Sequence, residues 1–198
     1  MRRQSPKGGA ARPISERGLI LKKIHTATIA AILAFAACGA QAQVGTSPAL
    51  PASLAVPATQ VLSLETRAVG VQIYVCAASK GDATHYDWVF KAPEAELFNL
   101  AGIKIGKHYA GPTWEADDGS KVVGEVKAHD NGPDASAIPW LLLSAKSNAG
   151  EGLFGKTTSV QRVNTSGGKA LPDGCDKERL GKESRVPYKA AYYFYSAK

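Results

Sequence analysis

From Gln60 onward the chain alternates apolar and polar residues in short runs. Val71, Ile73 and Val75 alternate with Gln72, Tyr74 and Cys76, and Tyr86, Trp88 and Phe90 alternate with His85, Asp87 and Lys91. A period of two is the signature of a half-buried strand. Similar runs open at Val61–Leu64 and return at Lys121–Lys127, Trp140–Lys146, Thr157–Val163 and Tyr188–Tyr195. β-branched and aromatic residues, which suit a pleated surface, are concentrated in them. Trp140-Leu141-Leu142-Leu143 is apolar on both faces and is expected at the centre of a sheet. Tyr192-Tyr193-Phe194-Tyr195 places aromatics on both faces of the last strand.

The punctuation fits strands better than helices. Asp117-Asp118-Gly119-Ser120 is a hairpin signal, because Asp-Gly supplies the positive φ of a tight turn. Asp130–Asp134 reads as a longer turn, and Asn164–Gly174 as a Gly-rich loop ending at Cys175. Only Pro93–Leu100 suggests helix, one or two turns, running into Asn99–Gly102, which suits a hairpin turn equally well. The sum is an all-β domain over residues 60–198, with eight or nine strands. It is an antiparallel β-sandwich or a partly closed barrel, and the pattern does not choose between them.

Residues 43–59 carry Pro48, Pro51 and Pro57 among Ala, Ser and Thr and read as a linker. Residues 1–42 read as an N-terminal extension and a signal peptide. Lys22 and Lys23 precede an apolar run from Thr28 to Ala37, and Ala40-Gln41-Ala42 fits a small-x-small cleavage site. The run is shorter than the ~20 residues a membrane-spanning helix needs. Residues 1–20 are unusually polar for a leader, which points to a start near Leu19 or Leu21. The expected location is periplasmic or secreted, with cleavage after Ala42 and no membrane span in what remains.

Charge then changes meaning. All but one unit of the net +7 resides in the leader, which holds seven of the 24 Lys and Arg and one of the 17 acids, leaving 17 basic against 16 acidic residues. A near-neutral domain without an arginine-rich patch is not a nucleic-acid binder. Cleavage also removes Cys38 and leaves Cys76 and Cys175, an even pair in an oxidising compartment, hence one disulfide. A lipid anchor on Cys38 is the rival reading, with Phe35 standing where leucine is usual.

Several segments in order carry a resemblance. They include Gly70–Cys76, Tyr86–Pro93, Glu96–Phe98, His108–Glu115, Asp118–Ser120, Ile138–Leu143, Val160–Thr165, Gly167-Gly168, Val186–Tyr188 and Ala191–Tyr195. Over roughly Leu54 to Tyr195 the chain resembles the exported bacterial and fungal family called domain of unknown function 3455. The resemblance implies an exported β-rich domain and no particular activity. Some fungal relatives carry a malate dehydrogenase label. This chain has neither a Gly-x-Gly-x-x-Gly turn after a strand nor alternating strands and helices.

Candidate chemistry gathers in His108–Gly124, a turn-rich stretch holding a histidine, a tyrosine, a tryptophan and three carboxylates. Trp114 beside Tyr109 and His108 makes a platform for a sugar ring or another planar ligand, or else caps one end of the core. Trp88 and Trp140, within strands, are expected in the core. A binding module is the first reading, for a small polar, aromatic or carbohydrate ligand. Its site comprises His108, Tyr109, Trp114 and Glu115 with Gln161 or Asn164. An exported hydrolase or metal-dependent enzyme is the second, using His108 with Glu115 or Asp118, or Glu115 paired with Asp117. A structural envelope protein is the third. His85, His108 and His129 lack the spacing of metal ligands on one element, so no metal is expected. No Gly-x-Ser-x-Gly elbow or phosphate loop appears, and no cofactor is implied.

Overall fold

The computed structural model describes residues 50–198. The leader, Cys38 and residues 43–49 of the linker lie outside the described residues. Eight strands follow in order: β1 (Gln60–Ser79), β2 (Asp82–Phe98), β3 (Lys104–Tyr109), β4 (Thr113–Ala116), β5 (Lys121–Asp130), β6 (Trp140–Ala149), β7 (Thr157–Gly167) and β8 (Glu183–Ala197). Each pairs antiparallel with the next, and β8 returns to β1 along Gln60↔Ala197 to Val75↔Glu183. The all-β expectation therefore holds, and the sheet closes into a ring rather than splitting into a sandwich. The ring is not an even barrel, since β1 runs 20 residues and β4 only four.

Local sequence explains most of the elements. Gly119, at φ 85°, turns the chain between β4 and β5, as the Asp-Gly signal predicts. Gly70 lets β1 bend closely across β2, because a Cβ there would fall 2.1 Å from the Glu94 carbonyl oxygen. The helical expectation for Pro93–Leu100 is overturned: residues 93–98 belong to β2, with Pro93, Ala95 and Leu97 buried and Glu94 and Glu96 exposed. Glu, Ala and Leu favour helix as individuals, but pairing with both β1 and β3 outweighs their propensity.

Two apolar clusters form. Inside the ring, Leu97, Trp114, Val122, Leu143, Phe154 and Phe194 are buried together. On the outer face of β6–β8, Trp140, Val163 and Tyr193 pack beneath Leu54. Leu54 ends a short 3-10 helix, Ala52–Leu54, and is fully buried, so the end of the predicted linker docks on the sheet. Burying one such leucine is worth about 1.5–3 kcal/mol. It also explains why Trp140–Leu143 is apolar on both faces: β6 lies between β5 and β7, with the lumen on one side and Leu54 on the other. Trp88, expected in the core, is half-buried instead and donates to the Asp173 carbonyl at 2.9 Å.

That contact belongs to a long loop between β7 and β8, which the Cys76–Cys175 disulfide ties to β1 with Cα atoms 5.3 Å apart. Cys76 also exchanges backbone hydrogen bonds with Lys182 and Gly181, so the loop is held at two places. The cross-link spans 99 residues, and closing a loop of that length restricts the unfolded chain by about 4–5 kcal/mol. Replacing both cysteines by serine is expected to lower unfolding stability by ~4–5 kcal/mol. Urea midpoints of the oxidised protein and the double variant measure it, and coincident curves would contradict the assignment.

Candidate functional site

The hairpin of β3 and β4 sets the site. Its register places His108 opposite Trp114 and Lys107 opposite Glu115. Side chains alternate faces along a strand, so His108 and Trp114 point into the ring while Glu115 points out. The inward pair stack, with ring centroids 4.4 Å apart and planes 12° from parallel. Tyr192 of β8 meets both rings edge-on, at 5.1 and 5.3 Å. Gly124 on β5 makes room, because a Cβ there would meet Trp114 at 2.9 Å. Trp114 is thus a buried strand residue, 1% exposed, and not a loop platform.

One wall of a cavity is nevertheless made by this stack. The cavity, about 210 Å³, occupies the end of the lumen bordered by the β3–β4 turn at Ala110–Pro112. Pro93, Leu141 and Leu143 supply apolar walls, His108, Arg162 and Tyr192 the polar ones, and the exposed Phe90 and Val126 the rim. The opposite end of the lumen is filled by Phe154 packed on Phe194 at 4.6 Å.

The polar groups have defined states. His108 Nδ1 lies 2.8 Å from the Thr113 carbonyl. A carbonyl only accepts, so Nδ1 carries the proton, and a neutral ring leaves Nε2 as an acceptor. Neutrality follows from burial, which pushes the imidazole down to about 3; the Arg162 charge adds to this and the Thr113 bond opposes it. Arg162 donates through Nε and Nη2 to the Pro139 carbonyl, at 3.1 and 2.8 Å. Burial raises the Tyr192 and Tyr188 hydroxyls above the usual phenol range, so both stay protonated. Tyr192 Oη lies near the Arg162 guanidinium without an aligned hydrogen bond. Tyr188 Oη lies near Tyr192 and Gln72, again without an aligned hydrogen bond, and Trp114 Nε1 is buried and unpartnered.

Of the six residues the sequence grouped, the structure brings together two, His108 and Trp114. Tyr109 and Glu115 pair on the outer face, Oη to Oε2 at 2.6 Å, with Lys107 and Lys121 each 3.6 Å from the carboxylate. Gln161 is buried on the other side of β7 from the lumen, donating to the Leu54 carbonyl at 2.5 Å and accepting from Tyr195 at 2.7 Å. Asn164 is exposed at a bulge of β7 with φ 51°. His108 and Glu115 do not form an acid–base pair either, since they face opposite sides of the sheet. Asp118 clasps a turn, accepting from the Ser120 and Leu153 backbone at 2.8 and 2.9 Å. Among the described residues no cluster of three or more His, Cys, Asp or Glu could hold a metal ion. Missed were Arg162, Tyr192, Tyr188 and Gln72. Val160 and Val163 put Arg162 and Gln161 equally in register with a core valine, so the sequence carried no signal that singled out Arg162.

The buried imidazole makes stability depend on pH. In the unfolded chain a histidine titrates near pH 6.5. Below that pH the unfolded state holds a proton that the folded His108 does not. Its contribution is therefore full above pH 6.5 and is lost as pH falls toward 3. Between pH 6 and 4.5 wild type is expected to lose up to ~1.4 kcal/mol per pH unit more than a His108→Gln variant. Urea unfolding of both across that range measures the difference, and parallel pH profiles would contradict it.

Comparison with curated proteins finds no match to this chain. The model of one family, described as protein of unknown function (DUF3455), matches residues 57–196, which span all eight strands except the final residue of β8. The ring, its disulfide and the lumen pocket are thus features of a chain that belongs to the DUF3455 family.

Proposed function

We propose that this protein is an exported binding module that holds a small molecule in the mouth of its ring. The observation carrying the proposal is the cavity itself: apolar walls with polar groups from three strands, β3, β7 and β8, converging on one space. An empty engineered cavity of ~150 Å³ accommodates benzene. The larger volume here suits a single ring bearing a polar substituent. Burial of the His108–Trp114 stack gives the pocket a rigid wall that needs no ordering when a ligand enters. Export is supported by Lys22-Lys23, the apolar run that follows and Ala40-Gln41-Ala42, together with the disulfide.

The rival readings lack a comparable footing. His108 is engaged by the Thr113 carbonyl and Glu115 by Tyr109 on the opposite side of the sheet, so the pair the hydrolase would use is not together. A purely structural role leaves the converging polar groups unaccounted for.

Two indoles provide an internal comparison. Trp114 lines the pocket and its Nε1 is buried without a partner, whereas Trp88 Nε1 is engaged by Asp173. On titration with benzyl alcohol, benzamide and benzoate, the Trp114 indole resonance is expected to shift saturably with at least one probe while that of Trp88 stays. A Val126→Phe substitution at the exposed rim should weaken binding about tenfold or more by filling the entrance. No saturable shift with any probe would overturn the proposal.

A further inference from the structure

We infer that the pocket is a receptor for a compact organic anion, a carboxylate on a single apolar ring, with Arg162 as the anion-binding group. The inference rests on the pocket reading above and adds the ligand's charge. Arg162 reaches the lumen from β7 and makes no ion pair with a carboxylate among the described residues. Among the described residues its aligned hydrogen bonds go to the Pro139 carbonyl, one N–H from Nε and one from Nη2, with Tyr192 Oη close by. A guanidinium carries five N–H donors, so three remain. Lys91 at the rim is already engaged by Glu183 at 2.5 Å. The unanswered charge at this end of the lumen is therefore that of Arg162.

The neighbouring groups have the same polarity. Tyr192 and Trp114 line the cavity, while the Tyr192 O–H, close to Arg162 and Tyr188, and the Trp114 N–H are enclosed in its wall without an aligned partner. A buried donor left unmade costs about 1–3 kcal/mol, and such groups in a native fold call for a partner. Among the residues that line the cavity there is no carboxylate to answer the Arg162 charge. A neutral sugar brings roughly as many donors as acceptors and would leave its own hydroxyls unmatched here. A cation would meet the guanidinium. A carboxylate brings acceptors and the opposite charge, and guanidinium binds it through two parallel N–H···O bonds. The apolar remainder of the ligand would lie against Pro93, Leu141 and Leu143. The His108 acceptor would favour a ring that also carries a hydroxyl.

The experiment compares benzoate with its near-isostere benzamide, using calorimetry and the Trp114 resonance at pH 7, on wild type, Arg162→Lys and Arg162→Gln. Benzoate is expected to bind wild type at least about tenfold more tightly than benzamide. Arg162→Gln should erase that preference, weakening benzoate about tenfold or more and benzamide by much less. Arg162→Lys should retain part of it, because an ammonium keeps the charge but not the fork. If benzamide binds as tightly as benzoate to wild type, the anion assignment is wrong and the small-molecule pocket stands. That comparison needs no variant, so a misfolded Arg162→Gln cannot rescue the proposal. If neither probe nor benzyl alcohol moves the Trp114 resonance, the pocket reading and the anion assignment fall together.

Discussion

The pairing of β8 with β1 is the constraint on which the rest depends. It pairs the first strand with the last and so closes the ring, although the pairing is partial elsewhere, β2 meeting β3 only over Ala95–Phe98. It also turns a meander into an enclosure. Once the ring is closed, every strand residue faces either the lumen or the outside, and a period of two becomes a division between core and surface. Gly70 is part of the same constraint, since any side chain there would strike the β2 backbone at the bend.

Closure alone would give a filled core. Here the ring is uneven, and its two ends differ. Where Phe154, Phe194, Val122 and Leu97 meet, the lumen is packed. At the other end the inward positions of β1, β3, β7 and β8 hold Gln72, His108, Arg162, Tyr188 and Tyr192. Replacing these with apolar groups would avoid the cost of burying polar atoms, about 1–3 kcal/mol for each one left unmade. Local strain and unmet polarity concentrate where proteins act on other molecules, which makes this end of the ring the place to look for function.

The outer face carries its own economy. Gln161 and Tyr195 tie the Leu54 carbonyl to the sheet, and Leu54 covers Trp140 and Tyr193. A segment whose Pro and Ala content suggests a free linker thereby becomes a lid on one apolar patch. Tyr109, Glu115, Lys107 and Lys121 form a surface network of exposed and half-exposed groups, where ion pairs contribute little. Grouping these residues with Trp114 was reasonable from proximity in the chain, yet adjacent residues of a strand point in opposite directions.

What the amino-acid sequence determined by itself was local. Alternation identified the strands, Asp-Gly placed the β4–β5 turn, and Cys76 and Cys175 made the expected bridge. It also kept His108 near Trp114, because a short hairpin holds close sequence neighbours together. Only the tertiary structure decided which face of each strand is inside. A shift of one residue exchanges the two faces, and nothing in Ser-Val-Gln-Arg-Val says whether Gln161 or Arg162 enters the lumen. That choice is made when eight strands close on one another, and it brought Arg162 to the same cavity as His108, more than fifty positions earlier in the chain.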